Sequence, residues 1–303
     1  MTRARVSRTS PLAAAAAALA LLACGGGRQA EEAAETVIQN KGSDTMVNVA
    51  QVWAEEYRKV APDVEVEVSG GGSGVGIAAL IKGAVDIANA SREIKPSETE
   101  LALKHTGRQA KGFTVGYDAL AVFVHATNPL TQITLAQLAQ IYAEDGTAAH
   151  WSDLGVRIPG VSDDEIVRVS RQSSSGTYEF FRERALGNAD FRLGSLDLNG
   201  SKEVVELVGS TPAAIGYSGM GYATHAVKML AVAKSAGAPF VAPAVATVHD
   251  KSYPLARSLH AYTLGDPQGA VKAYVGWILS DAGQKVVEES GYVPLPPEKR
   301  TKS

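Results

Sequence analysis

The sequence predicts an α/β fold, and three observations carry that expectation. Strand-like and helix-like segments alternate along residues 36–90. The run from Asp118 to Val124 is almost continuously apolar, as a strand covered on both faces requires. Elsewhere apolar residues recur at spacings of three and four, the period of a helix packed on one side. Such alternation favours a parallel or mixed sheet over a sandwich or a bundle.

Thr36–Gln39 is a short β-type run, broken at Gly42-Ser43-Asp44-Thr45. Met46, Val49, Ala50, Trp53, Tyr57 and Val60 then share one helical face, and Pro62 follows its end. Val64, Val66 and Val68 alternate with Glu65 and Glu67, the pattern of a half-buried strand. Ser69-Gly70-Gly71-Gly72-Ser73-Gly74 interrupts, and Ile77, Leu80 and Ile81 mark a second helix. Asp86–Ala90 reads as a strand ending at Ser91-Arg92.

Beyond the apolar strand, Thr134 opens a helix with Gln137 in capping-box position. Its apolar side carries Leu135, Leu138, Ile141 and Tyr142. Ile166–Ser170 is expected as a strand, Arg171–Gly176 as a loop and Thr177–Leu186 as a helix. Ala214–Tyr217 and Ser258–Thr263 are further strands, the second preceded by a stretch, His249–Tyr253, that reads as exposed. One last helix is expected from Val271 to Leu279, continuing to Glu289 and ending before Gly291 and Pro294.

The 303 residues, 45% of them hydrophobic, suffice for roughly two domains with sizeable cores. A formal charge of −3 argues against a nucleic-acid partner, which demands a basic surface. The single cysteine excludes an intrachain disulfide and a cysteine-based zinc cluster. The six histidines show no metal-ligand spacing. No nucleophile elbow surrounds Ser73 or Ser218, which argues against an esterase. Gly72-x-Gly74-x-Gly76 puts its third glycine one place too early for a dinucleotide fingerprint. Asp163-Asp164-Glu165 reads as a solvated turn rather than a cation site. No catalytic residue, metal or cofactor is therefore assigned, and a binding protein is expected rather than an enzyme.

The N-terminus carries its own message. Arg3, Arg5 and Arg8 precede an apolar, alanine-rich run from Pro11 to Ala23, too short to span a bilayer. It ends at Leu21-Leu22-Ala23-Cys24, which resembles the lipobox of bacterial lipoproteins, with Cys24 as the lipidated residue. Residues 1–23 are thus expected as a lipoprotein signal peptide and 24–35 as a flexible tether, rich in Gly, Ala and Glu. Without residues 1–23 the chain keeps 26 basic against 32 acidic residues, a net charge of −6. An exported, acidic protein held at the membrane surface by lipid is the expectation.

Three loops share one physical character. Gly42-Ser43-Asp44-Thr45, Gly72-Ser73-Gly74 and Ser173-Ser174-Ser175-Gly176-Thr177 each follow a predicted strand and open a predicted helix. A helix start presents unpaired N–H groups and the positive end of the macrodipole. Glycine lets an anion approach the backbone, and hydroxyls add donors. Serine and threonine also serve there simply as caps. Three such loops, one led by Arg171, point to a small oxyanion enclosed by dipoles on the ligand side of the sheet.

At this point the sequence resembles a known family. The residues are Gly42-Ser43-Asp44-Thr45, Ser73-Gly74, Val85-Asp86-Ile87 leading to Ala90-Ser91-Arg92, and above all Arg171-x-x-x-Ser175-Gly176-Thr177. Ala214-Ile215-Gly216-Tyr217, Tyr253-Pro254-Leu255-Ala256-Arg257 and Gly291-Tyr292-Val293-Pro294-Leu295 extend the likeness over nearly the whole chain after the tether. It is similar to the phosphate-binding proteins of bacterial phosphate ABC transporters, the PstS family. The resemblance implies a two-lobed type II periplasmic-binding-protein fold, each lobe a mixed β-sheet flanked by helices. Two hinge crossover strands, Asp118–Val124 and Ser258–Thr263, would join lobe 1 (36–122 and 256–303) to lobe 2 (123–255).

By position, the resemblance implies phosphate contacts from Thr45, the Met46 backbone, Ser73 and Ser91 on one side. Arg171, Ser175, Gly176 and Thr177 would close from the other. Where well-known members carry an acid after the third strand this chain has Ser91-Arg92, and Gln172-Ser173 replace the acid beside the arginine. Asp44 is then the candidate acceptor for the proton of hydrogen phosphate, a proton that sulfate lacks at neutral pH. The implied partners are inorganic phosphate, the membrane permease and the membrane itself through the lipid anchor, with the receptor a monomer. Another oxyanion (sulfate, molybdate or tungstate), or a phosphate sensor or phosphatase-like protein on this scaffold, stays open from the sequence.

Overall fold

The computed structural model describes residues 36–301; the expected signal peptide, the tether and Cys24 lie outside the described residues. In chain order the elements are β1 (Thr36–Gly42), α1 (Val47–Val60), β2 (Val64–Ser69), α2 (Ser73–Ile81), β3 (Ile87–Ala90), α3 (Pro96–Thr106) and β4 (Ala110–His125). Next come β5 (Gln132–Thr134), α4 (Leu135–Tyr142), β6 (Val167–Arg171), α5 (Gly176–Ala185), β7 (Leu196–Leu198), α6 (Ser201–Ser210) and β8 (Ala214–Gly219). The chain closes with β9 (Val227–Met229), β10 (Ala231–Ala233), α7 (Val245–His249), β11 (Ala256–Leu264), α8 (Gly269–Ile278) and α9 (Asp281–Glu289).

The strands run in the order β2-β1-β3-β11-β4-β8-β6-β7, with β9 also on β4 and a separate β10-β5 pair. Pairings β1–β2 and β1–β3 are parallel, whereas β11 lies antiparallel to β3 and β4, so the sheet is mixed. The 16-residue β4 is the pivot of this layout. Ala110–Ala119 pair with β11, and from Leu120 the same strand pairs with β8. Near the change of partner a β-bulge in the β4–β11 ladder leaves Val115 unpaired between Thr114 and Gly116, which bends the ribbon.

Each half is covered on both faces, as the parallel strands β2-β1-β3 and β8-β6-β7 require. In the first half α1, α8 and α9 bury Ile38, Val49, Trp53, Leu259, Tyr274 and Val287, and α2 covers the other face with Ile77 and Leu80 on Ala88 and Ala90. The Trp53 indole N–H donates to the Gly283 carbonyl at 2.9 Å, tying α1 to α9. In the second half α4 and α5 bury Leu138, Ile141, Tyr142 and Phe181 over Tyr217, and α6 packs Val204 and Val208 on Phe123 and Val169. Each fully buried side chain of this kind contributes about 1.5–3 kcal/mol.

The Thr134 cap forms as expected: its hydroxyl accepts from the Gln137 N–H while the Gln137 side chain accepts from the Thr134 N–H. Two readings need correction, and one helix was not foreseen. The expected last helix is two, because the Ser280 hydroxyl takes the Gly283 N–H and restarts the chain as α9. The stretch His249–Tyr253 is not wholly exposed: Tyr253 is 2% accessible, and its hydroxyl donates to the Leu120 carbonyl at 2.8 Å. Helix α3 has no counterpart in the hydrophobic pattern, since Ala102 is its only buried residue.

Candidate functional site

The starts of α1, α2 and α5 meet in one place. On the first, the Ser43 N–H donates to the Asn89 carbonyl at 2.8 Å, fixing the loop against the end of β3. On the second, the Gly72 N–H donates to the Gly42 carbonyl at 2.9 Å, joining the α1 and α2 entries. The third comes from the other half of the sheet. There the Ser175 hydroxyl caps α5, accepting from the N–H groups of Thr177 at 3.1 Å and Tyr178 at 3.4 Å.

Across the line between the halves the contacts are close. Thr45 and Thr177 place their hydroxyl oxygens 2.8 Å apart. The Gly74 N–H donates to the Ser174 carbonyl at 3.0 Å, and the Ser174 hydroxyl donates to the Gly71 carbonyl at 3.1 Å. Gly72 has φ +99°, and a Cβ there would lie 2.5 Å from the Ser174 oxygen. At Gly176 a Cβ would fall 2.3 Å from the Ser73 hydroxyl and 2.8 Å from that of Ser91. Only glycine permits this approach of backbones.

Of the sequence-predicted residues, Thr45, Ser73, Ser91, Ser175, Gly176 and Thr177 are thus brought together. The Ser91 N–H donates to the Ser73 hydroxyl at 3.1 Å, and Ser43 donates to the Ser91 hydroxyl at 2.9 Å. Arg171, fully buried, donates to the Ser201 hydroxyl at 2.9 Å, the Asn199 carbonyl at 2.8 Å and the Asp44 carboxylate at 3.3 Å. Its Nε has no acceptor in the structure. Met46 stands apart: its side chain belongs to the first core and its N–H donates to the Ser43 carbonyl at 2.9 Å.

Asp44 supplies the acid that the sequence around Arg171 lacks. One of its oxygens takes the Gly71 N–H at 2.7 Å and the other takes Arg171. Burial pushes the Arg171 guanidinium below its usual range, and Asp44 opposes that shift. A second buried pair lies beside it. Arg257 donates from Nε at 3.0 Å and Nη2 at 2.7 Å to one oxygen of Asp118; by sequence the first belongs to a family motif and the second to an apolar strand, with no role assigned to either in the site. Burial pushes the Asp118 carboxyl up, with Arg257 opposing.

Sequence reasoning also missed Tyr222 and Tyr292. The Tyr222 hydroxyl donates to the Asp44 carbonyl at 2.9 Å, and that of Tyr292 donates to the Thr45 carbonyl. Both hold the carbonyl side of the α1 entry; burial pushes the Tyr222 hydroxyl up to about 12, keeping it a donor. An ionisable residue inside an otherwise apolar strand, as at Asp118, was the available signal for the second pair, because such a group stays buried only when paired.

A cleft of about 930 Å³ opens beside this cluster, with Arg257, Phe180, Arg92, Lys95 and Lys251 in its wall. None of the nine sequence-predicted ligand residues lines it. Lys95 and Glu179 form an ion pair of 2.5 Å, joining the start of α3 to α5. Among the described residues no group of His, Cys, Asp and Glu could hold a metal ion. No described helix is long and apolar enough to cross a membrane.

Two helix-covered sheet halves sharing β4 and meeting at apposed helix starts are the architecture of the two-lobed binding proteins. Residues 29–282 match the model of the PBP superfamily domain. The phosphate-binding protein PstS of Pseudomonas aeruginosa is 34% identical over 269 residues, which cover 86% of this chain and 83% of the relative. PstS of Bacillus subtilis is 30% identical over 276 residues, covering 90% and 85%. Among solved structures, an ABC-type phosphate transport receptor from Vibrio cholerae aligns with TM-score 0.67 and 28% identity, over 86% of this chain and 100% of that one. A substrate-binding protein assigned to a phosphate ABC transporter of Clostridium perfringens, crystallised with bound phosphate, aligns with TM-score 0.74 and 27% identity over the same shares. The chain belongs to the PstS family of phosphate-binding proteins within the PBP superfamily. Membership makes it a substrate-binding protein rather than an enzyme.

Proposed function

We propose that this chain captures inorganic phosphate between two lobes, 36–122 with 256–303 and 123–255, and delivers it to the permease of an ABC transporter. The observation that carries this reading is the meeting of Thr45 and Thr177 at 2.8 Å between loops that open α1 and α5, with buried Arg171 beside them. Helix starts favour an anion through their free N–H groups and dipoles. Hydrogen bonds to a charged partner contribute about 1.5–3 kcal/mol each, so several together support micromolar or tighter binding after entropic costs.

In this reading Thr45, Ser73 and Ser91 serve the ligand from one lobe, and Arg171, Ser175, Gly176 and Thr177 from the other; the Met46 N–H, expected there from sequence, is held by the Ser43 carbonyl. Asp44 accepts the phosphate proton. A carboxylate has about four acceptor positions, and the Gly71 N–H and Arg171 use two of them. Opening would rotate the lobes about β4 and β11, and the transporter would release the ligand by favouring the open form. The receptor works as a monomer outside the cytoplasmic membrane, held through acylated Cys24, a placement that the N-terminal sequence supports.

Calorimetric titration of the purified protein with phosphate and with sulfate tests the assignment. Saturable phosphate binding that sulfate at equal concentration does not displace is expected. Sulfate binding as tight as phosphate would reassign the ligand, and heat from neither anion would remove the proposed function.

A further inference from the structure

Arg257 is 5% exposed and reaches the site from β11, the strand that joins β4 between the two halves. Its guanidinium contacts three parts of the molecule at once. Nη1 donates to the Thr177 hydroxyl oxygen at 3.0 Å and to the Ser91 carbonyl at 3.4 Å. Nη2 donates to the Thr45 hydroxyl oxygen at 3.3 Å. Nε and Nη2 hold Asp118, whose second oxygen takes the Met220 N–H at 3.3 Å. The Phe180 ring lies under the guanidinium, 5.7 Å from its centre. The fork is therefore fixed by a fully buried carboxylate and an aromatic face.

A threonine hydroxyl has one proton to donate and two lone pairs to accept with. Arg257 occupies a lone pair on both Thr45 and Thr177. In this structure one of the two hydroxyls donates to the other across 2.8 Å; when a bound acceptor replaces that contact, both protons are left to turn toward it. The arginine's charge is offset locally by Asp118, so it adds little net attraction for an anion at long range. What it adds is orientation.

We propose that Arg257, held by Asp118, is a positioning residue that sets the hydroxyls of Thr45 and Thr177 as paired donors to the bound oxyanion. This rests on the oxyanion reading of the site. The threonines come from opposite halves, so one fork can serve both only when the lobes are closed. The ligand class that follows is one offering bare acceptor oxygens to both threonines, which a protonated oxygen turned toward them would not satisfy.

The test is a double-mutant cycle read by calorimetry with inorganic phosphate. Arg257→Gln alone would strand the Asp118 charge, so the cycle uses Arg257→Gln with Asp118→Asn, and thermal melting without phosphate checks folding. That variant is expected to lower affinity at least tenfold, and Thr45→Val with Thr177→Val to do the same. Combining all four changes is expected to weaken binding no more than about threefold beyond the valine pair, because the arginine acts through those hydroxyls. Arg257→Lys, which keeps the charge but loses the fork, should recover only part of the affinity. Losses that multiply in the combined variant, or unchanged affinity in the first, would overturn the proposal. If the wild type binds sulfate and not phosphate, the phosphate assignment fails while the cycle is run with sulfate. A wild type that binds neither overturns both.

Discussion

Thr45 and Thr177 are 132 positions apart in the chain, yet their hydroxyl oxygens lie 2.8 Å from one another. Each sits in the first turn of its helix or just before it, and the helices belong to different halves of the sheet. Two helix-entry loops, of which only the α5 loop caps its helix with a side chain, have thus been aimed at one spot. Removing either hydroxyl, by Thr45→Val or Thr177→Val, is expected to weaken phosphate about tenfold to a hundredfold, the value of one hydrogen bond to a charged group. Calorimetry at fixed pH and salt measures it.

Asp44 has two jobs that a single substitution separates. As partner of Arg171 it should matter to every oxyanion; as proton acceptor it should matter to phosphate alone. Asp44→Asn is expected to reduce phosphate affinity at least tenfold more than sulfate affinity. Equal losses in a competition assay would leave it only the first job. Arg171→Gln should weaken both anions by a few kcal/mol, about 1.5–3 for each hydrogen bond lost.

Gly72→Ala tests the approach of the two halves. Its φ of +99° and the 2.5 Å separation of a Cβ from the Ser174 carbonyl oxygen oppose any side chain. The second obstacle exists only while the halves touch. Phosphate affinity is therefore expected to fall more than tenfold while the melting temperature without phosphate drops by only a few degrees. Parallel calorimetry and melting curves give both numbers.

The Lys95–Glu179 pair spans the same divide at the surface, both side chains being partly exposed. Such pairs contribute about 0.2–1 kcal/mol and are screened by salt. Glu179→Gln is expected to weaken phosphate up to about fivefold at low ionic strength. The difference should vanish at high ionic strength, as titration in two buffers would reveal.

His260 gives the protein a pH dependence of known sign. Burial pushes its imidazole below the usual value of 6.5, while Glu93 pulls the other way. Between the folded and unfolded values the unfolded chain binds more protons, so stability is present above 6.5 and is lost as pH falls. The slope from this one group is at most about 1.4 kcal/mol per pH unit. Urea unfolding from pH 7.5 downward should show it, and His260→Gln should flatten it.

Much of this arrangement could be read from residue patterns, and the reasons for the exceptions are specific. The three entry loops were legible because the same glycine-and-hydroxyl pattern recurs at three strand-to-helix junctions, more often than capping alone calls for. The Thr134 cap was legible because both partners of the box lie within four residues. Helix α3 escaped because its exposed Leu101 and Leu103 hide any amphipathic period, although Pro96 at its start and Gly107 past its end were usable signals. The α8–α9 break rests on one serine cap, which an apolar stripe does not reveal. Arg257 and Asp118 meet 139 positions apart, and the Asp44–Arg171 pair 127 apart, so no local spacing could join either.

Strand β4 is the shared possession of both halves: one stretch completes the ladder with β11 and the next completes it with β8. Neither half can lose its order without stripping the other of an interior strand. Rigid-body rotation of the halves is compatible with that dependence, but separate melting is not. The chain should accordingly denature in a single concerted step, and amide protons along Leu120–Val124 should be among the last to exchange with deuterated solvent.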